Sequence, residues 1–269
     1  MTKSIGLDHR LNRTLLVHAR RETIFRFFTD PQRWASWWGA GSTIDPQPGG
    51  RLLIRYPGGT EAVGEVMEIQ PPERLVFSYG YAAGAPIPPG SSVVTIVLEE
   101  HARGTRLRLA HAFAEAGVRD EHVQGWRYQL SLFANVIAGE VHAGASALAD
   151  RWFETWSEED GAKREAALRA IASPTIRLRD QFSSIEGLPD VLVHVAAARR
   201  FMPGIRMSRR GGVRQCQGMA IADWVARAAD GLERAAGTSV FELGLDGAIE
   251  SVTGFWGSAT GTGGEAKTA

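Results

Sequence analysis

Between residues 104 and 113 apolar and polar side chains alternate, with Leu107, Leu109, His111 and Phe113 on one face and Arg106 and Arg108 on the other. A two-residue period is that of a half-buried strand. The same phase in ERLVFSYGY places Leu75, Phe77, Tyr79 and Tyr81 together. RLLIRY, EAVGEVMEI and SSVVTIVLEE alternate likewise and are separated by turn signals such as Pro57-Gly58-Gly59 and Pro71-Pro72, so consecutive antiparallel strands are predicted. Upstream, residues 13–19 read as a strand and residues 21–28 as a helix carrying Ile24, Phe25, Phe27 and Phe28. Asp30-Pro31 stops that helix, and a second short helix holds Trp34, Trp37 and Trp38. Those indoles read either as a hydrophobic plug or as an aromatic lip on a cavity. A long helix closes this half, with Val123, Trp126, Leu130, Phe133 and Ile137 forming one apolar stripe over residues 118–139.

After residue 144 the order changes, with helices first and strands last. Leu148, Trp152, Phe153 and Trp156 define one helical face, a second helix is predicted over 160–171, and Ser173-Pro174 breaks it. PTIRLRDQF alternates as a strand in which Ile176, Leu178 and Asp180 share a face. If that face is the core, Asp180 points into it, either free for chemistry or paired with Arg206 or Arg210. A helix over 188–201 carries Leu188, Val191, Leu192 and Val195 inward, with His194 at the edge of the stripe. VRQCQGMAIADWVARA reads as a long strand, and Asp246-Gly247 joins GTSVFELGL to AIESVTGFW as a hairpin.

A chain of 269 residues has room for two domains without metal or disulfide staples. The predicted division is 1–140, 141–257 and a flexible tail, 258–269, of small polar residues. Thirty basic and thirty acidic residues leave no net charge, which removes the field that drives binding to nucleic acid or to an anionic membrane. No stretch approaches the roughly 18 apolar residues of a membrane span, and the opening residues have no apolar run of the signal-peptide kind, so a soluble cytoplasmic protein is expected. Cys216 stands alone; it is read as a small buried hydrophobe, and neither a disulfide nor a cysteine-type metal site is expected. The histidines show no HxxxH or HExxH spacing, and no phosphate loop, GxGxxG turn or nucleophile elbow is present. No metal and no cofactor are predicted.

The first half follows the helix-grip plan, in which a long helix and a curved sheet enclose a pocket. RETIFRFFTDPQRWASWWG, PGGRLLIRYP, GEVMEIQPPERLVFSYG, LEEHARGTRLRLAH and GWRYQLSLFANVIA resemble the START-like (SRPBCC) superfamily, in the branch named after the activator of heat-shock-protein-90 ATPase, over about 13–140. ADRWFETWSEED, TIRLRDQF and VFELGLDGAIESVTGFW resemble the SnoaL-like, polyketide-cyclase-type branch of the nuclear-transport-factor-like proteins, over about 145–257. The expected fold class is therefore α+β, a helix-grip domain followed by an α+β cone, or cystatin-like barrel. A cavity of a few hundred Å³ is expected between the first sheet and the helix segment 126–137.

The candidate ligand-binding residues are Trp38, Tyr79, His111 and Trp126 in the first half and Trp152 and Trp224 in the second. The expected partner is a small apolar molecule, polycyclic or lipid-like. The second resemblance implies an aspartate or histidine acting as general acid or base inside the cone, roles that fall to Asp180 and His194 here and describe an isomerase, cyclase or dehydratase. A homodimer through the second domain is the expected assembly. A chaperone partner is implied by the name of the first family alone.

Overall fold

The computed structural model describes residues 6–257, so the segment expected as a tail over 258–269 lies outside the described residues. The chain divides into two compact units, the first ending at Val141 and the second beginning at His142.

In the first unit β1 (His9–Val17) leads into α1 (Arg21–Thr29) and α2 (Pro31–Trp38). The two helices share one residue as boundary. Asp30 takes an extended conformation, and its carboxylate accepts the Gln32 and Arg33 amide hydrogens at 2.9 Å each, while Pro31 occupies the first helical turn, where no amide hydrogen is needed. The buried face of α1 is Ile24, Phe25, Phe27 and Phe28. Six strands follow, β2 (Thr43–Ile44), β3 (Arg51–Arg55), β4 (Glu61–Gln70), β5 (Arg74–Tyr81), β6 (Ser92–His101) and β7 (Gly104–Phe113). They pair antiparallel in the order β1-β7-β6-β5-β4-β3-β2. Leu107, Leu109, His111 and Phe113 of β7 are all buried. The helix α3 (Ala116–Val141) buries Trp126, Leu130, Phe133 and Ile137 and packs against β1 and β7.

The second unit opens with α4 (Ala145–Ser157) and α5 (Gly161–Arg169), the latter capped by the Asp160 carboxylate. Then come β8 (Ala172–Arg179), β9 (Ser184–Glu186), α6 (Leu188–Phe201), β10 (Arg206–Cys216), β11 (Met219–Arg227), β12 (Glu233–Leu243) and β13 (Ile249–Gly257). The sheet order is β10-β11-β12-β13-β8-β9, with β13 and β8 parallel. Both units are α+β, a helix-grip domain and a cone.

Two expectations change here. The run VRQCQGMAIADWVARA is not one strand but two, because Gln217 and Gly218 both adopt positive φ, 47° and 86°, and make a two-residue hairpin turn between the paired Cys216 and Met219. Cys216, expected to be buried, is exposed beside that turn, since β10 is the edge of its sheet and most of its residues face solvent. No single helix among the described residues is long and apolar enough to cross a membrane.

Candidate ligand cavity

The three tryptophans of α2 divide between two roles. Trp34 and Trp37 are plugs: their indole nitrogens donate to the carbonyls of Leu53 at 3.4 Å and Phe27 at 3.3 Å, and Trp37 packs on Phe133 of α3 with ring centroids 4.6 Å apart. Trp38, one residue on, lines a cavity of about 360 Å³. The sheet side of this cavity is formed by Tyr79 and Tyr81 of β5 and by Tyr56, just beyond β3. The helix α3 supplies His122, Trp126 and Gln129, with Leu132 and Gly125. Tyr128, two-thirds exposed, also belongs to its wall. Five aromatic side chains meet edge-on around this space: Trp38 lies 5.9 Å from Tyr56 and 5.8 Å from Trp126, and Tyr79 lies 5.7 Å from Tyr81.

His111 is not in the wall but behind it. Trp126 Nε1–H donates to His111 Nδ1 at 3.0 Å. An indole nitrogen can only donate, so Nδ1 carries no proton and the neutral ring is protonated on Nε2. That nitrogen donates to Ser92 Oγ at 2.8 Å, and the Ser92 hydroxyl donates to the Tyr79 carbonyl at 2.8 Å. Each member of this relay is buried. Burial above all, and the nearby His122, hold the His111 pKa well below the ordinary histidine value. Protonating Nδ1 would also set two N–H groups against each other. The sequence assigned His111 to ligand contact; its place in the fold is instead to fix the Trp126 indole, turning the indole N–H toward the sheet and a carbon surface toward the cavity.

A second chain runs beside it, with the His111 and His122 rings 5.8 Å apart. His122 Nδ1 lies 2.7 Å from the Val118 carbonyl, which can only accept, so Nε2 is the acceptor for the Tyr81 hydroxyl at 3.2 Å. Both ring nitrogens are thereby satisfied within the protein. Tyr56 and Tyr79 share one hydrogen bond between their hydroxyls, 3.0 Å long. Burial is the first cause that pushes both phenols above the usual tyrosine range; the neighbouring phenol lowers the Tyr56 value slightly and raises that of Tyr79. Gln129 turns its amide nitrogen to the Trp37 carbonyl. No lysine, arginine, aspartate or glutamate is among the lining residues, and among the described residues no group of three or more histidine, cysteine or acidic side chains is placed to hold a metal ion.

Tyr79, Trp38 and Trp126 thus come together as lining residues. Tyr56, Tyr81, His122 and Gln129 complete the site and were not singled out from the sequence. Tyr81 shares the phase of Tyr79 on β5, and His122, Trp126 and Gln129 follow each other at helical spacings of four and three. That signal was available. Tyr56 and His122 carry nothing in the sequence that ties them to β5.

In the second unit the candidates fall apart. Trp152 and Trp224 are core side chains, 2% and 3% exposed. Trp152 packs edge-on against Trp156 and Phe241, and Trp224 lies against Gly237, where any Cβ would collide with its ring. Asp180 does not face that core. Strand β8 ends at Arg179, so the two-residue period stops one position short. The Asp180 carboxylate caps a turn, accepting the Phe182 amide at 2.8 Å and the Ser183 hydroxyl at 2.7 Å, with Trp256 Nε1 at 3.4 Å. Neither arginine considered as its partner takes it: Arg210 pairs with Glu233, and Arg206 forms no ion pair among the described residues. His194 rests edge-on against Trp156 at 5.8 Å. Asp180 and His194 share no hydrogen bond among the described residues.

Comparison with known proteins gives the first unit a family. Residues 18–138 match the family described as Activator of Hsp90 ATPase homolog 1-like protein. Among solved structures, an AHSA1-like protein from Rhizobium etli is 33% identical, covering 52% of this chain and 88% of that one, with a TM-score of 0.42. A SnoaL-like family protein from Agrobacterium tumefaciens is 26% identical, covering 44% of this chain and 99% of that one, with a TM-score of 0.41. CalU16 from Micromonospora echinospora is 27% identical, covering 49% and 76%, with a TM-score of 0.39. No match is found among curated proteins. Through residues 18–138 the chain belongs to the Activator of Hsp90 ATPase homolog 1-like family.

Proposed function

We propose that the first unit binds a small, largely apolar molecule in the cavity between its sheet and α3. The observation that carries this reading is the cavity itself, about 360 Å³ lined by Trp38, Trp126 and four tyrosines. A densely packed interior leaves few voids larger than a water molecule, and a pocket of this size with apolar walls and a few polar groups is what a small-molecule site requires. The two relays support the same reading, because they fix the wall side chains Trp126 and Tyr81 in place before any ligand arrives, which lowers the ordering cost of binding.

Native mass spectrometry of freshly purified protein tests the proposal, with Gly125→Phe as its control. Gly125 lines the cavity, and a Cβ there meets no atom within 4 Å, so the new ring enters empty space without displacing backbone. The expected result is a co-purifying small molecule on the wild type, released by denaturation and missing from the variant. Equal occupancy of both proteins would place the ligand elsewhere and overturn the reading.

A further inference from the structure

We infer that the indole N–H of Trp38 is the polar anchor of the cavity, and that the molecule it holds is uncharged, flat and equipped with a hydrogen-bond acceptor. This rests on the proposed binding function and narrows it to a chemical class. Trp126 donates its N–H to His111. His122 is held between the Val118 carbonyl and the Tyr81 hydroxyl. Tyr79 is hydrogen-bonded to both Tyr56 and Tyr81, so with Tyr81 donating to His122 each of these three phenol protons has an acceptor along one chain. Gln129 Nε2 holds the Trp37 carbonyl, and Tyr128 is two-thirds exposed, with its hydroxyl in reach of water. Trp38 differs from all of these. Among the described residues it is the one lining side chain with a polar atom, Nε1, that is closed to water and has no partner, on a ring only 3% exposed.

That difference decides which contact matters. Where water reaches a group, a ligand bond replaces a water bond and the net gain is small; a donor closed to water has no such bond to give up, so an acceptor that meets it recovers the whole cost of leaving it unpaired. The rings around Trp38 do not remove that cost. Tyr56 and Trp126 stand edge-on to it at 5.9 and 5.8 Å, and an aromatic face is a weak acceptor. A ligand packed on the Trp38 ring reaches the donor through a small rotation of that side chain, an adjustment common on binding, and the relief of the unpaired group favours the rotation. The acceptor is neutral, since no lysine or arginine lines the cavity and an unpaired buried anion is penalised far more than a neutral oxygen. Indole and phenol surfaces gain most from a flat, polarizable partner, which sets the shape of the rest.

The test follows the indole N–H signals of the full chain by proton–nitrogen NMR at pH 7 during titration with 2-acetonaphthone, 2-isopropylnaphthalene and 2-naphthoate. The Trp38 signal is assigned by its nuclear Overhauser contacts to Tyr56 and Trp126. The ketone is expected to move that signal downfield and to bind about tenfold more tightly than the hydrocarbon, the size of one recovered hydrogen bond; the hydrocarbon binds without the downfield shift, and the anion binds more weakly than the ketone. In Trp38→Phe, which keeps an aromatic ring and removes the N–H, the ketone loses its advantage while the hydrocarbon still binds, and that binding shows the variant to be folded. Ketone binding that leaves the Trp38 signal in place, a Trp38 N–H that contacts only a bound water, equal affinity for ketone and hydrocarbon, or tightest binding of naphthoate overturns the inference but leaves the binding function standing. Binding of none of the three overturns the inference, and in a protein that also carries no co-purified molecule it overturns the binding function as well.

Discussion

Replacing His111 by leucine removes the one residue that links Trp126 to the sheet without opening a large space, since the two side chains are similar in volume. Two hydrogen bonds are lost, Trp126 Nε1–H to Nδ1 and Nε2–H to Ser92. Leaving the buried indole N–H without an acceptor costs about 1–3 kcal/mol, and the second bond contributes about 1 kcal/mol net, so the first unit should lose about 2–4 kcal/mol. At about 3 °C per kcal/mol for a unit of this size, its melting temperature should fall by about 6–12 °C.

The pH dependence makes the test sharper. The folded pKa of His111 lies well below its unfolded value, about 6.5. Its contribution is therefore complete above pH 6.5 and is lost as pH falls from there toward the folded pKa, because the unfolded chain takes up a proton that the native one refuses. The slope is about 1.4 kcal/mol per pH unit. As pH falls from 7 to 5 the wild type should lose stability that the leucine variant, having no such group, keeps. Urea unfolding of both proteins at the two pH values, followed by near-ultraviolet circular dichroism, measures the gap directly. A variant as stable as the wild type at pH 7, or a gap that stays constant with pH, would refute the neutral relay.

Asp180→Ala should lower the stability of the second unit by about 1 kcal/mol, the loss of a turn cap, and leave ligand binding to the first unit unchanged; calorimetry and native mass spectrometry read the two effects. Gly64→Ala should be severe, at least about 3 kcal/mol, because a Cβ there collides with the Ser78 carbonyl oxygen across the β4–β5 pair; calorimetry reads the loss, and a variant as stable as the wild type would refute the close approach. Asp150→Asn breaks a two-point contact with Arg209 at 2.7 and 3.0 Å. The pair is partly exposed, so the expected cost is at most about 1 kcal/mol and should shrink in high salt, as denaturation at two salt concentrations would show.

The elements of both units are legible in the sequence because they obey local rules. The alternation through Leu107, Leu109, His111 and Phe113 marks β7 and its inward face, the Trp126–Ile137 stripe marks α3, and Asp30-Pro31 marks a helix boundary, each within about one turn or a few strand residues. Local rules stop where the chain stops repeating. Asp180 keeps the phase of Ile176 and Leu178 in the sequence, but the strand ends at Arg179 and the phase no longer says where its carboxylate points. A periodicity also says that His111 is buried without saying what it meets. Its partners Ser92 and Trp126 come from another strand and from a helix, and Tyr56, Tyr79, Tyr81 and His122 converge across separations of 23 and 41 residues. Register and helix placement decide such contacts. For the same reason Trp34, Trp37 and Trp38 are indistinguishable as letters, while the packing of α2 against the sheet and α3 makes two of them plugs and the third a cavity wall.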